Sequence, residues 1–233
     1  METIQKKIIN TTISYLILRR VLGYLGIFLP LILLMVNDFK VQSSISHFYY
    51  TQSSVIFTSI LFAFGLFLIC YPGREKENET FSDNVLTNIG GVFAILTALI
   101  PTSFCQLEKC ETHYGEINTI LLDLESNYSI STQWIHNDNV TGTIHLVCAA
   151  IFLILMGWMS FNRFTKGKTS AKMKIFYKFC GVMVWLVLGV LGFMIYTHSE
   201  FTKFDVFLGE WIALFFFGIS WLVKGKGLRR FGI

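Results

Sequence analysis

"SSVIFTSILFAFGLFLICY", residues 53–71, runs for nineteen positions without a charged side chain. As a helix it would rise roughly 28 Å at about 1.5 Å per residue, close to the hydrocarbon thickness of a bilayer. In lipid a lone strand would leave its amides unpaired, so such a run is expected to be a transmembrane helix whatever its periodicity. The whole chain supports that reading. It is 53% hydrophobic, 16% aromatic and 15% charged over 233 residues, with a mean hydropathy of +0.57. That is too apolar for an ordinary soluble domain.

Outward from this run lie five others, which together with it predict spans at about 15–36, 53–71, 85–101, 142–161, 175–196 and 206–223. The expected fold is all-α: one polytopic six-transmembrane-helix bundle over residues 1–233, with a single long loop at 102–141. An even number of spans places both termini on one side. All of the 19 Lys and Arg except Lys40, Lys109 and Lys203 fall on that side, which predicts cytoplasmic N and C termini by the positive-inside rule. The basic loop "RFTKGKTSAKMK" then anchors the membrane flank, and the formal charge of +4 is topological rather than a nucleic-acid footprint. The apolar part of the first run is too long for a signal-peptide core and no small-x-small cleavage site follows, so it is expected to stay as a span.

Immediately before the opening run stands "SSISHFYYT", residues 43–51, dense in hydroxyls and aromatic rings. Under this topology it lies at the external mouth of the bundle. Thr102 reaches the same level from the third span, His145 from the start of the fourth, and Glu210 from one turn inside the sixth, beside Trp211. A carboxylate within a span costs about 2.5–3.5 kcal/mol at mid-membrane and less near an end, so Glu210 needs a partner. His145 is the expected one, with His47 and the hydroxyls of Tyr49 and Tyr50 next.

Three readings of this cluster stay open. It is a structural network pinning helix ends; or a pocket for lipid headgroups in which His145 and Glu210 act as an acid/base pair and Ser44, Ser46, His47, Tyr49, Tyr50, Thr102 and Trp211 bind; or a metal site of His47, His145 and Glu210. The last has suitable ligand types but no local spacing signature such as HExxH. No phosphate-binding glycine loop or GxSxG elbow occurs, and no cofactor is expected.

The loop holds "EINTILLDLESNY", in which Ile117, Ile120, Leu121 and Leu124 share one helical face. This predicts a helix on the outer surface or a lid over the mouth. Cys105 and Cys110 could bridge in an oxidising compartment, and Asn127 and Asn139 begin N-x-S/T sequons. In the third span Gly90, Ala94 and Ala98 form a small-residue stripe, which predicts a central position for that helix. "ALFFFGISW" near the end of the sixth span is expected to face lipid.

"SISHFYYT", "FAFGLFLICY", "NIGGVFAILTALIPT", "IHLVCAAIF" and "EWIALFFFGISWLV" occur in that order. They resemble an uncharacterised bacterial family of six-span membrane proteins with SxSxxYYT, FPT, LH and LE landmarks. More distantly the layout is similar to the DRAM/Frag/Sfk family. The chain departs from the bacterial pattern at His47, where that family carries a small residue. A likeness to seven-span ceramidase-type hydrolases through Ser43 and His47 fails for want of the paired histidines of a late span. The distant resemblance implies association with lipid remodelling or phospholipid organisation, and matches landmark positions at Ser44 to Ser46, His145, Glu210 and Trp211. The expected protein is an integral, multi-pass component of the bacterial inner membrane whose partners are membrane lipids and not nucleic acid. A homo-oligomer is compatible with this composition. The function expected is binding or remodelling of outer-leaflet headgroups, with a non-enzymatic lipid-organising scaffold as the alternative and a small-solute permease as a weaker one.

Overall fold

The computed structural model describes residues 2–71, 83–102, 139–166, 169–197 and 204–225, with side chains from residue 16 onward. Among these the chain is all-helical. Its elements are α1 (Glu2–Val36), a 3₁₀ helix (Ser46–Tyr50), α2 (Ser54–Ile69), α3 (Asp83–Leu99), α4 (Asn139–Trp158) with a π-helical extension (Met159–Arg163), α5 (Ala171–Thr197) and α6 (Asp205–Lys224). Each of the six apolar runs is therefore helical. Four helical stretches are long and apolar enough to cross a membrane: Leu16–Val36, Val140–Arg163, Ala171–Thr197 and Asp205–Lys224. This is the make-up of an integral membrane protein. The helices α2 and α3 are shorter, at 16 and 17 residues.

The helices close a ring in chain order. Each packs against the next, and α6 packs back against α1. Three of the seams are made by facing glycines. A Cβ on Gly218 would stand 2.6 Å from the Gly23 carbonyl oxygen, one on Gly65 2.6 Å from that of Gly91, and one on Gly181 2.7 Å from that of Gly157. Any larger residue would force α1 from α6, α2 from α3, or α4 from α5. Such close backbone approach replaces the hydrophobic drive that lipid cannot supply between helices.

Phe64, Met156 and Phe217 are fully buried. The rings of Phe64, Phe152 and Phe217 meet on the axis, with centroids 5.6 to 6.5 Å apart. The middle of the ring is thus a plug of aromatic side chains from alternate helices.

Two expectations are corrected. The helix α3 is not central: Gly90 does face α4, its Cβ position lying 2.8 Å from the Met156 methyl carbon, but Val85, Ile89, Val92 and Leu99 are exposed. In a ring every helix has two neighbours and one outer face, so a small-residue stripe marks a close seam rather than a centre. Nor does "ALFFFGISW" face outward as a whole. Leu214, Phe217 and Trp221 are buried and only Phe215 is well exposed, because the helical period turns every third or fourth residue inward.

At one end of the ring α1 stops where Asp38 and Phe39 take positive φ angles of 51° and 58°. For non-glycine residues this left-handed conformation costs roughly 1–2 kcal/mol each. It is held by the Phe39 N–H donating to the Leu34 carbonyl and by the Asn37 amide donating to the Lys40 carbonyl, both at 2.7 Å. The reversal sends residues 40–53 back across the rim, where Phe48 is fully buried, 6.1 Å from Phe207 between ring centroids. The opposite, basic end carries Arg19, Arg163 and Lys224.

Candidate functional site

The segment 43–53 is stitched to four helices. The Ser43 carbonyl accepts from the Phe207 N–H of α6 at 2.9 Å, satisfying one of the donors left open in the first turn of that helix. The Ser53 hydroxyl, fully buried, donates to the Leu33 carbonyl of α1 at 2.8 Å. The Tyr50 hydroxyl donates to the Thr102 carbonyl just past α3 at 2.5 Å. Burial pushes the Tyr50 phenol above its ordinary pKa, with the neighbouring Tyr49 adding to the rise.

The polar residues expected at the mouth do gather there, but with other partners than expected. Glu210 and His145 do not pair with each other. The half-buried Glu210 takes the Ile45 N–H at 2.5 Å through Oε2 and also a backbone hydrogen bond from Ser46, and so caps the 3₁₀ helix from another element. His145 is 2% exposed. Its Nδ1 lies 2.7 Å from the Ile100 carbonyl and its Nε2 2.9 Å from the Ser46 Oγ. With both ring nitrogens engaged, none is left for a carboxylate. Ser46 is the link: its backbone faces Glu210 and its hydroxyl faces His145.

The Ile100 partner exists because α3 ends at Leu99, so that the carbonyls at and just past its last turn find no N–H donors within the helix. The partners also assign the tautomer. A carbonyl can only accept, so Nδ1 carries the hydrogen, and in the neutral ring Nε2 accepts the Ser46 hydroxyl proton.

The other predicted residues sit around this line. His47 Nδ1 lies 2.6 Å from the Ser44 Oγ and 3.0 Å from the Ser43 Oγ, a local side-chain turn. The rings of Tyr49 and Tyr50 pack edge to face with centroids 5.2 Å apart. Trp211 packs on Phe207 at 5.6 Å and, with Leu208, Ile212, Phe215 and Phe216, lines a shallow apolar groove of about 260 Å³ on the outside of the ring. His47, His145 and Glu210 do not form a metal centre. Among the described residues no group of three His, Cys, Asp or Glu side chains could hold an ion, and each of the three has the separate partners given above. Cys105, Cys110 and the "EINTILLDLESNY" segment lie outside the described residues.

Sequence reasoning missed a second polar cluster at the basic end. The Arg19 Nε donates to the Tyr71 hydroxyl at 3.0 Å, and Arg19 and Lys224 lie over the same Phe164 ring at 5.9 and 5.6 Å from its centroid. The Lys224 Nζ also donates to the Phe164 carbonyl at 2.7 Å. The π-helical extension of α4 brings the Ser160 hydroxyl to within 2.6 Å of that of Ser220 and pairs Arg163 with Asp83 in a largely buried ion pair. The sequence signal was the set of aromatic residues at helix ends, Tyr71, Phe164 and Trp221, beside the basic ones. No protein-family model, no curated protein and no solved structure matches the chain.

Proposed function

We propose that the protein is a six-span protein of the bacterial inner membrane, both termini cytoplasmic, that binds lipid headgroups of the outer leaflet at the mouth formed by residues 43–53. The order of helices and the concentration of cations at the opposite end support this orientation. At 24 and 26 Å the short helices α2 and α3 fall a few ångströms below the roughly 30 Å of hydrocarbon, and the polar segment 43–53 and Pro101–Thr102 lie over their ends. The observation that carries the reading is the adjacency of two unlike surfaces. A polar line from Glu210 through Ser46 to His145 stands beside the exposed apolar groove that begins at Leu208 and Trp211. A lipid presents the same combination of polar head and apolar chain. The aromatic plug favours this reading over a permease, since among the described residues apolar rings fill the middle of the ring. The resemblance of the sequence landmarks to the bacterial six-span family and, distantly, to the DRAM/Frag/Sfk family is in keeping with the same proposal.

The test is native mass spectrometry of the detergent-purified protein beside a His145→Ala, Glu210→Gln double variant. The expected result is a phospholipid that travels with the wild type and is lost from a folded variant. Equal lipid retention by both would overturn the pocket and leave a scaffold in which the same residues only hold the helix ends together.

A further inference from the structure

We propose that Ser46 is a nucleophile, activated by His145 as general base, for acyl transfer from the carboxylic ester of a lipid lying at the mouth. The inference rests on the headgroup-binding reading and adds a reaction to it. It begins from two serine–histidine contacts in one short segment. That of Ser44 with His47 spans three residues and is the ordinary geometry of a side-chain turn. That of Ser46 with His145 joins residues 99 apart and needs the 3₁₀ helix and α4 to be brought together.

Its polarity is the one a general base requires. The Ile100 carbonyl fixes the hydrogen on Nδ1, so the lone pair of Nε2 points at the Ser46 hydroxyl. Nucleophile, base and an orienting third group stand in hydrogen-bonding reach, which is the arrangement common to activated serines on unrelated folds. Here a main-chain carbonyl orients the ring. That carbonyl lies just past the end of α3 and holds the ring in the orientation that turns Nε2 toward Ser46. His145 is buried and Ser46 only partly so, which makes the serine the member of the pair nearer the surface.

A carboxylic ester of a bound lipid suits the pair, because its carbonyl carbon can take an oxygen nucleophile while the proton moves to the imidazole. A carboxylic ester is neutral until it is attacked. The Ser46 Oγ bonds to the ester carbonyl carbon while its proton passes to His145 Nε2. The bond from that carbon to the alcohol oxygen breaks, and the departing oxygen takes the proton from Nε2, leaving an acyl-serine and a neutral alcohol. Water then gives a proton to Nε2 and attacks the acyl carbon. Ser46 leaves with that proton and a carboxylic acid is released.

The test uses the full chain in phosphatidylethanolamine–phosphatidylglycerol nanodiscs. A fluorophosphonate probe is expected to leave its adduct on Ser46 in the wild type, as mapped by peptide mass spectrometry. In Ser46→Cys the introduced thiol is expected to react with iodoacetamide at a pH midpoint at least one unit below the usual value of about 8.5 for a free cysteine, and the additional His145→Gln change is expected to return it there. A merely structural hydrogen bond would leave no adduct on Ser46, whatever it did to the thiol midpoint. Either a missing adduct in the wild type or an unshifted midpoint overturns the proposal. Lipid retained by a protein whose Ser46 does not react would leave the binding reading standing, whereas loss of both would end both.

Discussion

At the mouth, the polar side chains Glu210, His145, Tyr50 and Ser53 all reach main-chain groups: the Ile45 N–H and the carbonyls of Ile100, Thr102 and Leu33. At the basic end, Arg19 and Lys224 rest on aromatic faces and Arg163 meets Asp83. The difference follows from where helices stop. At the mouth α3 stops and leaves the carbonyls of Ile100 and Thr102 open, the Ile45 N–H precedes the 3₁₀ helix, and side chains there satisfy them. At the other end the chain continues through aromatic residues, and cations find ring quadrupoles in place of bulk water. Even so, the Trp221 Nε1 is buried there without a hydrogen-bond partner among the described residues. The mouth is thus held by side chains on the main chain, and the basic end by side chains on one another.

The largest loss is expected from the basic end, because one of its contacts is between full charges. Arg163→Ala leaves the Asp83 carboxylate largely buried and should cost roughly 3–5 kcal/mol, as is usual when one member of a buried pair is removed. Replacing both by Leu should recover most of it. Thermal unfolding in detergent measures this, and a double variant as unstable as the single one would show that the charges do more than pair with each other.

At the mouth the equivalent cut is His145→Leu, which leaves the Ile100 carbonyl and the Ser46 hydroxyl unpaired. The expected cost is about 2–4 kcal/mol from two lost bonds and the stranded acceptor. A cost below about 1 kcal/mol would mean that water replaces the imidazole freely, and that the mouth is wetter than the 2% exposure of His145 implies.

Glu210 gives a smaller and sharper contrast. If it acts as a cap, the amide oxygen of Glu210→Gln can still accept the Ile45 N–H, and the loss should stay under about 1 kcal/mol. Glu210→Ala should cost about 1–3 kcal/mol. Equal losses for Gln and Ala would show that the negative charge, and not the acceptor, is what holds residues 43–53 in place.

How much of this was legible in the sequence follows from which interactions are local. The apolar runs were legible because burial in lipid is a property of each run alone, and the gathering of His145 and Glu210 with residues 43–51 followed from topology. Their partners were not, because backbone donors and acceptors carry no residue code: nothing in the sequence distinguishes the carbonyl of Ile100 from any other. Ser46 looked like one hydroxyl among several for the same reason. The glycine seams were written as Phe64-Gly65, Met156-Gly157 and Phe217-Gly218, an apolar residue followed by glycine in alternate helices. That pattern becomes meaningful only once α2, α4 and α6 are known to meet at the axis. The reading of α3 as central failed because a small-residue stripe says that a neighbour is close, but not how many neighbours there are.

A pH-dependent effect is the most specific to the mouth. Tyr50 has its phenol pKa raised, first by burial and then by Tyr49. Above the ordinary value of about 10 the unfolded chain releases this proton while the folded protein keeps it. The unfolded state then binds fewer protons, so stability falls as pH rises past about 10 and goes on falling until the folded group itself ionises. Below that range Tyr50 contributes no pH dependence. Tyr50→Phe gives up the bond to the Thr102 carbonyl, at a cost of about 1 kcal/mol near neutrality, but it also gives up the alkaline penalty. The stability gap between wild type and variant should therefore narrow from pH 8 to pH 11, as measured by unfolding at each pH. Curves that stay parallel would mean that Tyr50 ionises in the folded protein as easily as in the unfolded chain, and that the rim over α3 is open to water.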